Sequence, residues 1–252
     1  MSRRTPPDRV NEVARAAWKV FIEKGYRRTL MTDIGAELKL SHAMLYRCVD
    51  SKEALFELAM HYAMDPASVA TLHVPVPSPA PGHTLQLLQQ WARKNVTFPV
   101  LRAALAREDV EDGTAELLEI IDERYAFVER NRRLLALIER SALDLPELHA
   151  LYYKKLRRND IRQLSQYLER RINAGLLSEV SDIQVATRFI VETIAWFAWH
   201  RKADPDSASI QDEQARKTVR ELLAAAFAPE RRRRAVRPQA AARNMAGVSR
   251  VG

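Results

Sequence analysis

Four apolar segments at helical spacing, each separated from the next by only a few residues, fill positions 10–58 and leave room for little except a small helical unit. In the first, Val10, Val13, Ala14, Ala17, Trp18, Phe21 and Ile22 recur at i, i+3, i+4, and Gly25 follows as a left-handed stop. Ahead of it, Thr5-Pro6-Pro7-Asp8 has the composition of a helix start. A short helix is expected from about Met31 to Leu38. Ser41 opens another that carries Tyr46, and Asp50-Ser51-Lys52-Glu53 opens a fourth. Ile34, Leu38, Leu45, Val49, Leu55 and Leu58 give these helices a shared core. Two short helices joined by a tight turn, the second exposing polar groups from its N-terminal end, have the geometry that enters a major groove.

The remainder is also expected to be helical. The whole chain has 7 glycines, and apolar residues keep helical spacing almost throughout, so an all-α fold follows. Between Asp65 and Gly82 stand Pro66, Pro75, Pro77, Pro79 and Pro81, a density that favours an extended, semi-rigid surface connection. Helices are expected over about 84–95, 99–107, 114–143, 146–174 and 182–201, the last with a capping-box start at Ser181-Asp182-Ile183-Gln184, and finally over 212–227. The expected organisation is therefore a helix-turn-helix domain over 1–64, a connection over 65–82, a larger helical ligand-binding and dimerisation domain over 83–228, and a basic, disordered tail over 229–252.

Charge is concentrated at the ends. Residues 1–60 carry 11 Lys/Arg against 8 Asp/Glu, residues 61–228 carry 22 against 23, and residues 229–252 carry 7 against 1. A head of net +3 suits phosphate contact without identifying it, and Arg231–Arg234 reads first as a solvated run. A single cysteine allows no intrachain disulfide. The most apolar stretch, Phe189 to Trp199, is interrupted by Glu192 and too short to span a bilayer. With no apolar run behind Arg3 and Arg4, a signal peptide is not expected, and the protein is expected to be cytoplasmic, without a membrane partner. No Gly-rich phosphate loop, no GxSxG and no metal-ligand spacing occurs, so neither enzymatic activity nor a metal or other cofactor is expected.

Ala16-Ala17, Phe21, Gly25-Tyr26, Thr29, Asp33-Ile34, Leu40-Ser41, Leu45-Tyr46 and Ser51-Lys52-Glu53-Ala54-Leu55 follow one another in an order that resembles the TetR family of bacterial helix-turn-helix transcriptional regulators. The resemblance implies double-stranded DNA as partner. It places Ser41 as the cap of the recognition helix, His42, Ala43 and Met44 at base edges or the groove floor, and Thr29, Tyr46 and Lys52 at phosphates. It also implies a homodimer, built here through 182–201 and 212–227 with Ile190, Ile194, Phe197, Leu222 and Leu223 in contact, and a small-molecule effector whose binding releases a palindromic operator. The chain departs from the family where Leu30 replaces a hydroxyl residue that normally caps the second helix, where Lys39 replaces a turn glycine, and where Cys48-Val49 replaces an aromatic pair.

Simpler readings stand beside these. Trp91, Tyr125, His149 and Tyr152 are candidates for an effector cavity, yet aromatic residues at helical spacing usually pack. Cys48 invites a redox switch, but a small space-filling residue is the simpler account. The weak base-reading chemistry of Ala43 and Met44 leaves a second function open: a helical ligand carrier or interaction scaffold whose head binds DNA only non-specifically.

Overall fold

The structure, a computed structural model, describes residues 7–229. The expected helix start at Thr5-Pro6 and the basic tail from residue 230 lie outside the described residues. Among those described there is no strand, only an isolated bridge between Val49 and Val76. The all-α expectation holds. The elements are α1 (Pro7–Lys24), α2 (Met31–Leu38), α3 (His42–Tyr46), α4 (Lys52–Met64), α5 (His83–Asn95), α6 (Pro99–Ala106), α7 (Gly113–Ala142), α8 (Pro146–His149), α9 (Arg158–Asn173), α10 (Ile183–Ala198) and α11 (Asp212–Phe227). A π-helical run, Ala150–Arg157, joins α8 to α9, so the single helix expected over 146–174 has one widened stretch.

These elements form two compact units. One holds the chain up to Thr97 together with Arg130–Arg158; the other holds Phe98–Glu129 and the described chain from Asn159. The first unit is therefore larger than a helix-turn-helix head. Its core begins with the α1 stripe of Val10, Val13, Ala14, Ala17 and Phe21 against α4, and continues into Leu134, Leu137 and Ile138 of α7. Trp18 donates its indole N–H to the Arg133 carbonyl at 3.0 Å. Glu57 is buried on α4, and its carboxylate is satisfied by the Thr84 hydroxyl at 3.0 Å and by His83 Nδ1 at 2.9 Å, which ties α4 to the start of α5.

The proline-rich stretch differs from expectation in one respect. Most of it is exposed, as expected, but it does not stand off the head: Val69 and Val76 are buried in the same core. The Val76 amide donates to Cys48 O at 2.8 Å, and the Asp50 amide donates to Val76 O at 3.0 Å. The prolines admit no α-helix here, only a short 3-10 helix over Pro66–Thr71, and the valines between them still have apolar area to bury.

The second unit is built from α6, the N-terminal half of α7, α9, α10 and α11. Its apolar core includes Leu117, Ile121, Leu164, Leu168, Ile190, Ile194, Val219 and Leu223. Three buried arginines cross-link it. Arg171 meets Glu116 at 2.7 Å and donates to Ala104 O at 2.6 Å. Arg124 makes a two-pronged pair with Asp160 at 2.7 Å for each bond. Arg201, 1% exposed, donates to Phe197 O and Ile210 O, each at 2.7 Å, and pairs with Asp212. Helix α10 is capped by Asp182, whose carboxylate accepts from Val185 N at 2.9 Å, and not through Ser181 as the expected box required.

A charge buried with its partner is safe, and one stranded by mutation is not. Arg171→Met should lower stability by about 3–5 kcal/mol, because buried Glu116 then keeps only the exposed Arg107, 3.7 Å away, as its ion-pair partner. Adding Glu116→Leu should restore part of that loss. Chemical denaturation of the two variants checks both expectations.

Candidate nucleic-acid interface

The head is shaped at two turns. After α1 the chain reverses at Gly25, which has φ +83° and sits so close to Asp144 that an added Cβ would lie 2.7 Å from its carboxylate. Thr29 ends this turn. It is completely buried, and its hydroxyl donates to the Gly25 carbonyl at 2.7 Å. The expected phosphate contact at Thr29 is thus corrected: the hydroxyl is spent inside the turn. Leu30 then starts α2 with no side-chain cap of its own, since leucine has no acceptor. Its amide is instead satisfied by Asp33 Oδ2 at 2.8 Å. The Lys24 ammonium, 2.7 Å from Asp33, and that amide hold the Asp33 carboxyl below the usual carboxylate range.

The second turn sets the angle between α2 and α3. Lys39 adopts the left-handed conformation (φ 54°, ψ 38°) expected from its position, and its amide bonds back to α2. Leu40 N donates to Gly35 O at 2.8 Å, and a Cβ at Gly35 would stand 3.1 Å from the Leu40 carbonyl. Gly35 takes up the close approach while Lys39 bears the strain.

Ser41 caps α3 as expected, its Oγ accepting from Met44 N at 3.4 Å. Leu45 is wholly buried and fixes the roll of the helix, leaving His42, Ala43, Met44, Tyr46 and Arg47 exposed. The His42 and Tyr46 rings meet edge to face at 4.8 Å. Cys48 is buried behind them, and burial raises its thiol pKa, which suits a space-filling role over a reactive one.

Lys52 opens α4 after the Ser51 cap, whose Oγ accepts from Ala54 N at 3.1 Å. Its ammonium donates to Arg27 O at 3.1 Å and lies 4.8 Å from the centre of the Tyr26 ring. Tyr26 in turn donates to Glu53 at 3.2 Å, and its partial burial raises its pKa to about 12. An ammonium has three donors, so Lys52 can serve the turn and a phosphate together.

Sequence reasoning missed a clamp on the far side of this turn. Arg140 of α7 donates to Ile22 O at 3.2 Å and Lys24 O at 3.1 Å, satisfying the last carbonyls of α1. Asp144 accepts from Arg27 N at 2.9 Å. More than a hundred residues separate the partners, and no local pattern signals such a contact. The exposed Arg47 was also passed over, although its place one turn after Ala43 could have marked it.

Of the expected effector-lining residues, Trp91, His149 and Tyr152 belong to the first unit and Tyr125 to the second. Trp91 and Tyr152 pack against the core of the first unit, and Tyr152 donates to Glu139 at 3.4 Å. His149 is exposed, with Tyr153 4.9 Å away ring to ring. Tyr125 belongs to the second unit, buried, with its hydroxyl on Phe197 O at 3.2 Å. Tyr152 also lies 4.8 Å from the Tyr153 ring, so His149 and Tyr152 share that neighbour. That second unit also has an open groove of about 470 Å³ lined by Leu118, Arg216, Lys217, Arg220 and Ala224 with two glutamates.

The expected dimer face needs a similar correction. Ile190, Ile194 and Leu223 lie inside the unit's own core, and Phe197 is half-buried. Only Leu222, 65% exposed, faces outward. The outward apolar stripe of α10 is instead Val185, Phe189 and Trp196. Among the described residues no helix is long and apolar enough to cross a membrane, and no cluster of His, Cys, Asp or Glu could hold a metal ion.

Residues 13–59 match the family described as bacterial regulatory proteins, tetR family. No curated protein matches the chain in sequence. Among solved structures, the ketosteroid transcriptional regulator KstR2 of Mycobacterium tuberculosis is similar in fold. It has a TM-score of 0.51 at 14% identity, covering 87% of this chain and 95% of that one. PfmR of Thermus thermophilus, a TetR-family regulator, gives 0.48 at 22% identity over 87% and 94%. FadR of Bacillus subtilis, solved with stearoyl-CoA, gives 0.42 at 15% identity over 85% and 97%.

Two outcomes are expected of this geometry. Lys39→Gly should raise stability by about 0.5–1 kcal/mol by relieving the left-handed turn, read from the melting midpoint. Tyr46→Phe and Lys52→Ala should each weaken binding to every DNA sequence. Lys52→Ala should also reduce the slope of log K against log salt by about 1. An unchanged slope would remove Lys52 from the phosphate contacts.

Proposed function

We propose that residues 13–59, which match the tetR family of bacterial regulatory proteins, are a DNA-binding head, and that this chain binds a palindromic operator as a homodimer and represses until a small effector releases it. The observation that carries the reading is the recognition helix: four exposed side chains on a helix whose roll is locked by buried Leu45, whose start is capped by Ser41, and whose approach is flanked by Lys52. A helix so presented is built to enter a major groove, and two of them one helical turn apart read an inverted repeat.

The dimer reading is supported by the face that α10 and α11 leave open. Val185, Phe189 and Trp196 fall within about 40° of one another around α10, at 100° per residue. They are 67%, 57% and 44% exposed, and Leu222 on the neighbouring α11 is exposed as well. A second copy covering this stripe brings like surfaces together, as a two-fold interface requires. Release demands an effector that binds the DNA-free arrangement more tightly than the DNA-bound one; equal affinity for both shifts nothing. An apolar small molecule held among the helices of 84–175 is the effector class proposed, and it rests on the family alone.

Affinity selection of fragmented genomic DNA with the purified chain, followed by footprinting, tests the function. A short inverted repeat near a promoter is expected. Enrichment without a common site would favour a head that binds only non-specifically. Phe189→Glu should yield a monomer by light scattering and lose the footprint; a dimer that survives it would move the interface elsewhere.

A further inference from the structure

We infer that the recognition helix reads its operator chiefly through thymine 5-methyl groups, with Ala43 and Met44 as the reading residues. This rests on the chain being an operator-binding regulator. The argument begins with Leu45, whose complete burial fixes which way α3 faces. At 100° per residue, Ala43 and Arg47 then point most directly away from the core, with Met44 and Tyr46 to either side. At the start of the helix Ser41 Oγ accepts from the Met44 amide, and His42, about 60° from Leu45 around the helix, holds its ring edge to face against Tyr46. What the first turn offers outward is the Ala43 methyl and the thioether chain of Met44, 44% exposed.

The major groove is read by paired hydrogen bonds from Arg, Lys, Asn or Gln, or by apolar contact with the methyl of thymine. Positions 42–46 contain none of those four residues. Arg47 stands a turn further on, over a different base pair or its phosphate. The small Ala43 allows close approach of the helix backbone, and the unbranched Met44 can follow a methyl on either strand. Base discrimination under the first turn is therefore a matter of apolar burial.

The test uses the full chain and the site recovered by genomic selection, with thymines replaced one at a time by deoxyuridine. This removes only the methyl and keeps the pairing. One or two thymines in each half-site should each cost about fourfold in affinity, the burial of a single methyl group. Met44→Ala, an exposed substitution, should abolish or shrink that difference while leaving the salt slope and the melting midpoint unchanged. If a specific site is recovered and every uridine duplex binds as well as the parent, this inference is overturned and the regulator reading stands. If no site is recovered, both fall.

Discussion

The turn from Gly25 to Thr29 is held from three directions, and the placement of α2 and α3 depends on it. From inside, Thr29 closes it onto the Gly25 carbonyl. From α4, Lys52 takes the Arg27 carbonyl and lies against Tyr26. From the end of α7, Arg140 and Asp144 take the last carbonyls of α1 and the Arg27 amide. The charged partners make these bonds stronger than neutral ones, and the absence of a Cβ at Gly25 lets Asp144 approach. With the turn fixed, α2 leaves at a set angle, and Gly35 with Lys39 passes that angle on to α3.

The clamp also explains why the first unit extends beyond the DNA-binding segment. A four-helix head of this size buries little apolar area by itself. Here it shares one core with α5, the last turns of α7 and the valines of the proline-rich stretch. The residues that fix the recognition helix are thus continuous with helices well beyond it. The second unit solves a different problem, joining short and long helices whose loops carry many backbone carbonyls. Arg171 and Arg201 each take one carbonyl from the last turn of a helix, Ala104 in α6 and Phe197 in α10, and one from a loop, Arg107 and Ile210, and each also pairs with an acid.

The parts of the site that were legible in the sequence depend on near neighbours. Ser41 and Ser51 cap helices three residues away, and Lys39 takes its left-handed conformation from the helix it ends. Thr29 and Asp33 were harder. The family resemblance implies a phosphate contact for the Thr29 hydroxyl; in fact the acid at Asp33 caps the α2 backbone and the hydroxyl turns inward. Helix α10 was found, but its outward face was not. It is apolar on both sides, so Ile190 and Ile194 looked no more inward than Phe189 and Trp196.

Local period, caps and stops therefore determined the helices, their order and the helix-turn-helix, because each of these is decided within a few residues of chain. The sequence also determined the chemistry of the recognition helix, since Ala43 and Met44 offer methyls wherever they point. Tertiary structure alone decided which of two apolar stripes faces the core. It also decided that Val69 and Val76 tie the proline-rich stretch to the head, and that Arg140 and Asp144 grip a turn more than a hundred residues away. Those choices depend on partners distant in sequence, and burial free energy has no direction until the partners meet.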